Sequence, residues 1–265
     1  MKITVNNIVL NYDVIGTGEP LILLGGLTAN CGEWQQVIPY LNERFTVYTP
    51  ENRGAGLTTG WAPTFTIEDM ADDIAKFIEA LGLEYAYVVG HSMGGAILQR
   101  LCTLHPHRVK AAIITSSFAK FPKAAQLYIE NTTELLAAGV PIELVLKTIY
   151  TRLYGSPFLS NSMTISNELK RMLTDPVPQT PEGYQAQVNA IEKFDSRADL
   201  TEIICSVQII NGSEDILTPT YLSEELHRTI KNSSLKLIAE CGHMIPQEKP
   251  EEFAQYILNF FNTVD

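Results

Sequence analysis

Residues 85–105 read YAYVVGHSMGGAILQRLCTLH. The apolar run over residues 85–90 is typical of a strand buried on both faces of a sheet, and residues 94–105 have the pattern of a helix that Pro106 ends. Between them lies Gly-His-Ser-Met-Gly, with Ser92 at its centre. A strand, a sharp turn and a helix in this order predict a serine hydroxyl exposed at the start of the helix, where the helix dipole favours negative charge.

The presence of glycine at two positions of this turn has a steric explanation. A turn this sharp holds the serine backbone in a strained conformation, and side chains at Gly90 and Gly94 would collide with neighbouring elements. A bare G-x-S-x-G match is weak, because Gly and Ser are common residues, but a strand before it and a helix after it give it meaning. The sequence therefore predicts that Ser92 is a nucleophile and that Gly90 and Gly94 support it.

Strand and helix patterns alternate on both sides of this turn. The clearest helix covers residues 66–81, where apolar residues recur every three or four positions, Thr66 and Asp69 have the spacing of a capping box, and Gly82 is a plausible end. Short apolar or alternating runs predict eight strands, at residues 3–6, 9–15, 21–24, 45–49, 85–90, 110–115, 207–211 and 235–239. We expect an α/β fold in which helices flank a mostly parallel eight-stranded sheet.

The pattern changes over residues 118–199, which are rich in helix formers and prolines and contain no convincing strand. We expect this segment to be a helical cap over the end of the sheet, inserted into a core formed by residues 1–117 and 200–265. Its aromatic residues are expected either to line an apolar substrate pocket or, for most of them, to pack inside the cap. They are Tyr128, Tyr150, Tyr154, Phe158 and Tyr184.

The composition disfavours several classes of partner. Among 265 residues, 30 are acidic and 19 basic, the formal net charge is −11, and no run of Lys and Arg occurs, so we expect no binding to nucleic acid or to a membrane. The four cysteines form no Cys-x-x-Cys pair, and no dinucleotide motif appears, so we expect no metal and no cofactor. Without a signal-peptide pattern or an apolar stretch of about 20 residues, we expect a cytoplasmic protein, either monomeric or homodimeric.

A serine nucleophile needs a base to take its proton and an acid to orient that base. Of the five histidines, His243 is best placed, because it follows the strand predicted over residues 235–239 at the carboxyl end of the sheet. His91 neighbours the serine but is expected to point to the other side of the turn. The sequence therefore predicts His243 as the base.

The acid is expected in the loop that follows the preceding strand, where residues 211–215 read Asn-Gly-Ser-Glu-Asp. Asp215 is the first choice and Glu214 the second. The loop after the strand at residues 110–115 offers only Ser116 and Ser117, so it does not compete.

Attack on a carbonyl group develops negative charge on its oxygen, and each backbone N–H that meets this charge supplies roughly 3–4 kcal/mol. The N–H of Met93, directly after the serine, is one expected donor. The other is expected in residues 25–28, Gly-Gly-Leu-Thr, where small residues let the backbone approach a ligand. We choose the N–H of Leu27, with Gly25 and Gly26 as supporting residues.

Nearly the whole chain resembles the capped α/β-hydrolases, in the group that includes carboxylesterases, 3-oxoadipate enol-lactonases and cofactor-free haloperoxidase-like perhydrolases. The resemblance is carried by residues 23–27, 52–56, 90–94, 212–215 and 242–243, and at the end of the cap by residues 181–184 and 194–195. It implies a catalytic triad in the chain order Ser92, Asp215, His243, which is the order of this fold.

The chain departs from the family at two places. The family usually has His-Gly where this chain has Gly25-Gly26, so the support of the oxyanion loop differs, and it usually has Asp in place of Glu51. Neither change removes a reacting group. Arg53 is expected to brace neighbouring loops through a backbone group or a carboxylate rather than to contact the substrate.

The resemblance implies hydrolysis of a small carboxylic ester or lactone through an acyl-enzyme. Serine at the turn excludes the haloalkane dehalogenases and epoxide hydrolases of this fold, which attack with Asp. Two alternatives stay open. One is a perhydrolase or C–C bond hydrolase that uses the same triad, and the other is a signalling protein that binds a small ligand without fast turnover.

Overall fold

The computed structural model describes residues 1–264, and its eight strands form one sheet. The strands are β1 (Lys2–Val5), β2 (Ile8–Ile15), β3 (Glu19–Leu24), β4 (Phe45–Pro50), β5 (Ala86–His91), β6 (Val109–Thr115), β7 (Ser206–Gly212) and β8 (Ser233–Ile238). They lie in the order β1-β2-β4-β3-β5-β6-β7-β8. β2 is antiparallel to both β1 and β4, and all the other neighbours are parallel. The predicted mostly parallel eight-stranded sheet is confirmed.

Helices cover both faces of this sheet. In the described chain they are α1 (Ile67–Ala80), α2 (Met93–Leu104), α3 (Lys123–Ala137), α4 (Ile142–Leu153), α5 (Ser156–Leu159), α6 (Ser162–Leu173), α7 (Pro181–Lys193), α8 (Thr220–Thr229), α9 (Ile245–Glu248) and α10 (Pro250–Thr263). The buried residues of α1, α2 and α8 belong to one apolar cluster, and those of α9 and α10 belong to a second.

The strand β3 shows why its sequence is apolar without interruption. Leu21 and Leu23 pack in the cluster that includes α10, whereas Ile22 and Leu24 pack in the cluster that includes α1 and α2. Because successive side chains of a strand point to opposite faces, a strand covered on both sides must be apolar at every position. All four side chains are fully buried.

The helix predicted over residues 66–81 is confirmed as α1, and its ends follow the expected chemistry. The Thr66 hydroxyl accepts a hydrogen bond from the backbone N–H of Asp69 at 3.1 Å, and the Asp69 carboxylate accepts one from the N–H of Thr66 at 2.8 Å. This reciprocal pair satisfies two of the N–H groups that a helix start leaves without partners. Gly82, with φ +73°, follows the last turn in a conformation that favours glycine.

Helices α3 to α7 all lie between β6 and β7, and we call residues 118–199 the helical insertion. The segment contains no strand apart from one antiparallel bridge that joins Lys120 to Asp195, where the insertion leaves and rejoins the rest of the chain. Its division from the remainder as a separate cap stays a prediction. Among residues 1–264, no helix is both long and apolar enough to cross a membrane.

Candidate active site

Ser92 lies between the end of β5 and the start of α2, in a backbone conformation that few residues adopt. Its φ is 54° and its ψ −116°, and its N–H donates to the carbonyl of Thr115 at 2.9 Å. A Cβ atom at Gly90 would lie 2.3 Å from the carbonyl oxygen of Gly94, and one at Gly94 would lie 2.1 Å from that of Leu24. The glycines predicted at this turn are therefore required by backbone contact. The turn leaves the Ser92 side chain partly exposed.

His243 and Asp215 form a buried pair at the carboxyl ends of β8 and β7. Nδ1 of His243 donates to Oδ2 of Asp215 at 2.8 Å. The same carboxylate accepts from the N–H groups of Leu217 and Thr218, at 2.9 and 2.8 Å, and from the Thr218 hydroxyl at 2.7 Å. Burial acts to raise the pKa of Asp215, but the charge of His243 and these hydrogen bonds outweigh it and hold the pKa below its ordinary value. The carboxylate is therefore ionised and oriented toward the imidazole.

Glu214, the second choice for the acid, is directed elsewhere. Its carboxylate accepts a hydrogen bond from the backbone N–H of Ser156, in the helical insertion, at 2.6 Å. A Cβ atom at Gly212 would lie 2.1 Å from the carbonyl oxygen of Gly242, so the acid loop and the histidine loop touch along their backbones. In this loop it is Asp215, rather than Glu214, that contacts His243.

The loop predicted to hold the oxyanion passes beside Ser92. A Cβ atom at Gly26 would lie 3.2 Å from the Cβ atom of Ser92. The next residues are held in place by Thr28, whose φ is 70° and whose N–H donates to Oε1 of Gln187 on α7 at 2.9 Å. Within residues 1–264, the N–H groups of Leu27 and Met93 donate to no protein acceptor, and their role as oxyanion donors stays a prediction.

The comparison with known proteins identifies the family. Residues 19–250 match the family model of the alpha/beta hydrolase fold. The chain belongs to this α/β-hydrolase family.

The relatives of this α/β-hydrolase span almost its whole length. It is 28% identical over 259 residues to BpoC of Mycobacterium tuberculosis strain H37Rv, a protein named for non-heme bromoperoxidase activity, and the match covers 96% of this chain and 98% of BpoC. It is 27% identical over 259 residues to RutD of Azorhizobium caulinodans, named for carbamate hydrolysis, with 97% and 96% covered.

Solved structures agree with this assignment. The crystal structure of BpoC superposes with a TM-score of 0.88 at 28% identity and covers 99% of this chain and 98% of its own. A thermophilic esterase from Thermogutta terrifontis superposes with a TM-score of 0.85 at 25% identity, with 97% and 94% covered. The resemblance inferred from the sequence is confirmed at the level of the family.

Arg53 of the α/β-hydrolase is paired with a carboxylate on α1. Its guanidinium forms a two-pronged ion pair with the Asp73 carboxylate on α1, with Nη2 and Oδ1 2.8 Å apart and the second contact through Nε. The carbonyl of Arg53 accepts a hydrogen bond from Nε2 of Gln187 at 2.7 Å. The side chain thus joins its loop to α1, and its role as a support of the site stays a prediction.

Three of the five aromatic residues proposed for a pocket pack against one another. The rings of Tyr154 and Phe158 stack with centroids 4.1 Å apart, and those of Tyr150 and Tyr154 meet edge to face at 5.5 Å. The hydroxyl of Tyr154 donates to the buried carboxylate of Glu168 at 3.0 Å. These contacts favour packing inside the helical insertion over pocket lining for this group.

Tyr128 and Tyr184 are the other two aromatic residues proposed for the pocket, and both are half-buried. Burial raises the pKa of Tyr128 to about 12, so its hydroxyl keeps its proton at neutral pH. Their placement in a pocket stays a prediction. Among residues 1–264, no group of three or more His, Cys, Asp or Glu side chains could hold a metal ion.

Sequence reasoning overlooked Glu33 and gave His91 no role in this site. His91, which was set aside, contacts His243 through both its ring and its Nε2 atom. Glu33 lies in a short 3₁₀ turn, Cys31–Trp34, that has no periodic pattern. The signal that could have found it is Gly25, because the missing side chain there leaves room for a carboxylate from elsewhere.

Proposed function

We propose that this α/β-hydrolase is a serine hydrolase that cleaves small carboxylic esters or lactones through an acyl-enzyme on Ser92. The observation that carries the proposal is the buried hydrogen bond between His243 and Asp215, because His243 contacts His91, the residue directly before the strained Ser92. A serine, a histidine and an ionised carboxylate in this relation form the apparatus of acyl transfer.

The first half of the reaction forms the ester. Oγ of Ser92 attacks the carbonyl carbon of the substrate while Nε2 of His243 takes the hydroxyl proton. The negative oxygen of the tetrahedral intermediate accepts hydrogen bonds from the N–H groups of Leu27 and Met93, each worth roughly 3–4 kcal/mol. When the intermediate collapses, the bond to the leaving alcohol breaks and His243 returns its proton to that oxygen.

The second half releases the acid. Water takes the place of the alcohol, His243 removes a proton from it, and the resulting hydroxide attacks the acyl carbon. Collapse of the second intermediate breaks the bond to Ser92, which regains its proton from His243. Asp215 stays ionised throughout, because its hydrogen bonds hold its pKa low, and it keeps Nδ1 of His243 protonated so that Nε2 faces the serine.

The helical insertion is proposed as the cap that selects the substrate. Its backbone reaches the two loops that hold the proposed acid and base. The carbonyl of Leu153 accepts from the N–H groups of His243 and Met244, at 2.7 and 3.2 Å. A substrate bound at Ser92 would therefore meet side chains of the insertion on its outer side.

The experiment is active-site labelling with a fluorophosphonate, followed by a panel of p-nitrophenyl esters and lactones. Wild-type protein should be labelled on Ser92 and turn over at least one substrate, and Ser92→Ala should lose both properties by several orders of magnitude. Ser166→Ala is the matched control, because Ser166 is exposed on α6 and its loss should change neither. Wild-type activity in Ser92→Ala would overturn the proposal.

A second candidate function is the perhydrolase reaction, which the relationship to BpoC favours because that protein is named for non-heme bromoperoxidase activity. In this reaction, hydrogen peroxide replaces water as the attacking molecule in the second half. Product analysis with a carboxylate and peroxide separates the two, since a perhydrolase yields peracid and an esterase does not.

The signalling alternative predicts a different result from both enzymes. A protein of that kind would bind a small ligand tightly and show negligible steady-state hydrolysis. Rapid labelling of Ser92 without turnover of any member of the ester and lactone panel would favour it.

A further inference from the structure

A buried carboxylate links the oxyanion loop to the residue before the nucleophile. Oε2 of Glu33 accepts a hydrogen bond from the backbone N–H of Gly26 at 3.0 Å. Oε1 of the same side chain lies 2.6 Å from Nδ1 of His91, and the exposed fractions of the two side chains are 6% and 2%. A pair so far removed from water is only stable when its hydrogen-bonding groups are all satisfied.

The opposite side of the His91 ring reaches the proposed base. Nε2 of His91 donates to the backbone carbonyl of His243 at 3.0 Å, and the centroids of the two rings are 5.0 Å apart. Since a carbonyl only accepts, Nε2 of His91 carries a hydrogen. A second proton lies between Nδ1 and Oε1 of Glu33, because two bare acceptors 2.6 Å apart would repel each other. The pair is thus neutral as a whole.

These contacts form one continuous chain from Gly26 through Glu33 and His91 to the backbone of His243. One end of the chain adjoins the proposed oxyanion donor, Leu27, and the other end carries the proposed base. The positions of the Leu27 N–H and of His243 are thereby fixed relative to His91, which directly precedes Ser92 in the chain.

The glycine at position 25 makes this arrangement possible. A Cβ atom there would lie 2.6 Å from the Cβ atom of Ala29 and 2.9 Å from Oε2 of Glu33. Any side chain at this position would therefore begin in contact with the Glu33 carboxylate. Glycine at position 25, where the chain departs from the family pattern, therefore leaves room for Glu33 to support the loop of residues 25–28.

We propose that Glu33 and His91 are positioning residues that hold the oxyanion donors and the base in register around Ser92. The proposal rests on the function proposed above, because register matters only if these groups act together in acyl transfer. A displacement of about 1 Å among reacting groups can lower a rate by about 10²-fold. Loss of either partner should therefore lower kcat by about 10²-fold and leave KM within about threefold of wild type.

The test compares Glu33→Gln, His91→Gln and the double variant with wild type, on a p-nitrophenyl ester at a temperature where all are folded by circular dichroism. Because the two residues act as one unit, the double variant should be no less active than the less active of the two single variants. Glu168→Gln is the control, since Glu168 is also a buried glutamate, but its carboxylate pairs with Tyr154 and Arg171 inside the insertion. It should keep kcat near the wild-type value.

A second measurement separates positioning from a loss of folded protein. Affinity for a trifluoromethyl ketone depends on Ser92, the base and the oxyanion donors together, so its inhibition constant should rise by the factor by which kcat/KM falls. In wild type, proton NMR should show two far-downfield imidazole resonances, one from His243 beside Asp215 and one from His91 beside Glu33, and both single variants should lack the second.

The two proposals fail in different ways. A wild-type protein that the fluorophosphonate does not label overturns the proposed function and this inference with it. Labelled, active wild type combined with Glu33→Gln and His91→Gln variants that keep kcat and ketone affinity within twofold overturns this inference alone.

Discussion

Replacement of Asp215 by asparagine would change the chemistry of the site with little change in its shape. The side-chain oxygen of an asparagine can still accept the N–H groups of Leu217 and Thr218, which now lie 2.9 and 2.8 Å from Oδ1. Its amide nitrogen would take the place of Oδ2, which lies 2.8 Å from Nδ1 of His243. A donor would thus face an atom that is itself a donor in wild type.

The imidazole can relieve this clash only by moving its proton. If Nδ1 of His243 accepts from the new amide, the hydrogen of the neutral ring moves to Nε2, and no lone pair faces Ser92. The developing imidazolium also loses its buried counter-charge. In a serine protease the equivalent change lowers kcat by about 10⁴-fold, which corresponds to about 5.5 kcal/mol of barrier, and we expect a loss of this size for Asp215→Asn.

The assay is steady-state hydrolysis of a p-nitrophenyl ester at neutral pH, with Glu214→Gln as the matched control. Glu214 is the adjacent carboxylate and contacts Ser156 instead of His243, so its variant should retain kcat within about threefold of wild type. Thermal unfolding of both variants checks that the fold survives. Activity of Asp215→Asn within tenfold of wild type, or an equal loss in Glu214→Gln, would refute the assignment of Asp215 as the acid.

Three further predictions concern stability. Gly94→Ala should cost about 3 kcal/mol in urea unfolding, because its Cβ would lie 2.1 Å from the Leu24 carbonyl, and an unchanged midpoint would contradict the backbone contact. Mild oxidation should join Cys102 to Cys205, whose Sγ atoms are 3.8 Å apart. The disulfide closes a loop of 103 residues and should stabilise the protein by up to about 4.7 kcal/mol. Peptide mapping shows whether another pair of cysteines forms instead. Folding lowers the pKa of Asp215 below 3.8, so the ionised carboxylate stabilises the protein above that pH and this stabilisation is lost as the pH falls further. The unfolding free energies of wild type and Asp215→Asn should therefore converge below about pH 4. A difference that stays constant with pH would show that the charge contributes nothing.

Local patterns made much of the fold predictable. Three features follow from rules that act over only a few residues. They are the capping box at Thr66 and Asp69, the uninterrupted apolar run of β3 and the glycines around Ser92. Chain order then predicted His243 as the base and Asp215 as the acid, because strands in a parallel sheet end at the same edge, and the structure brings these two side chains together.

The positioning pair was not predictable in this way. Glu33 and His91 are 58 residues apart, and His91 and His243 are 152 apart, so no local period connects them. Their meeting depends on how the short turn Cys31–Trp34 packs against His91 at the end of β5. The insertion raises the same difficulty, since helix periodicity identifies its helices but not which of Tyr150, Tyr154 and Phe158 pack together.

The carbonyl of Leu153 accepts hydrogen bonds from the N–H groups of His243 and Met244. This contact limits which parts of the helical insertion can be replaced, by engineering or in evolution, without disturbing the histidine loop. Glu248 adds a bridge at the same place, because its carboxylate accepts from the N–H groups of both Gly155 and Gly242. A chimaera that exchanged the whole insertion would replace Leu153 and Gly155, whose backbone groups contact the histidine loop and Glu248. Grafts that begin after Ser156 leave this junction intact, so new substrate ranges are best sought in segments downstream of it.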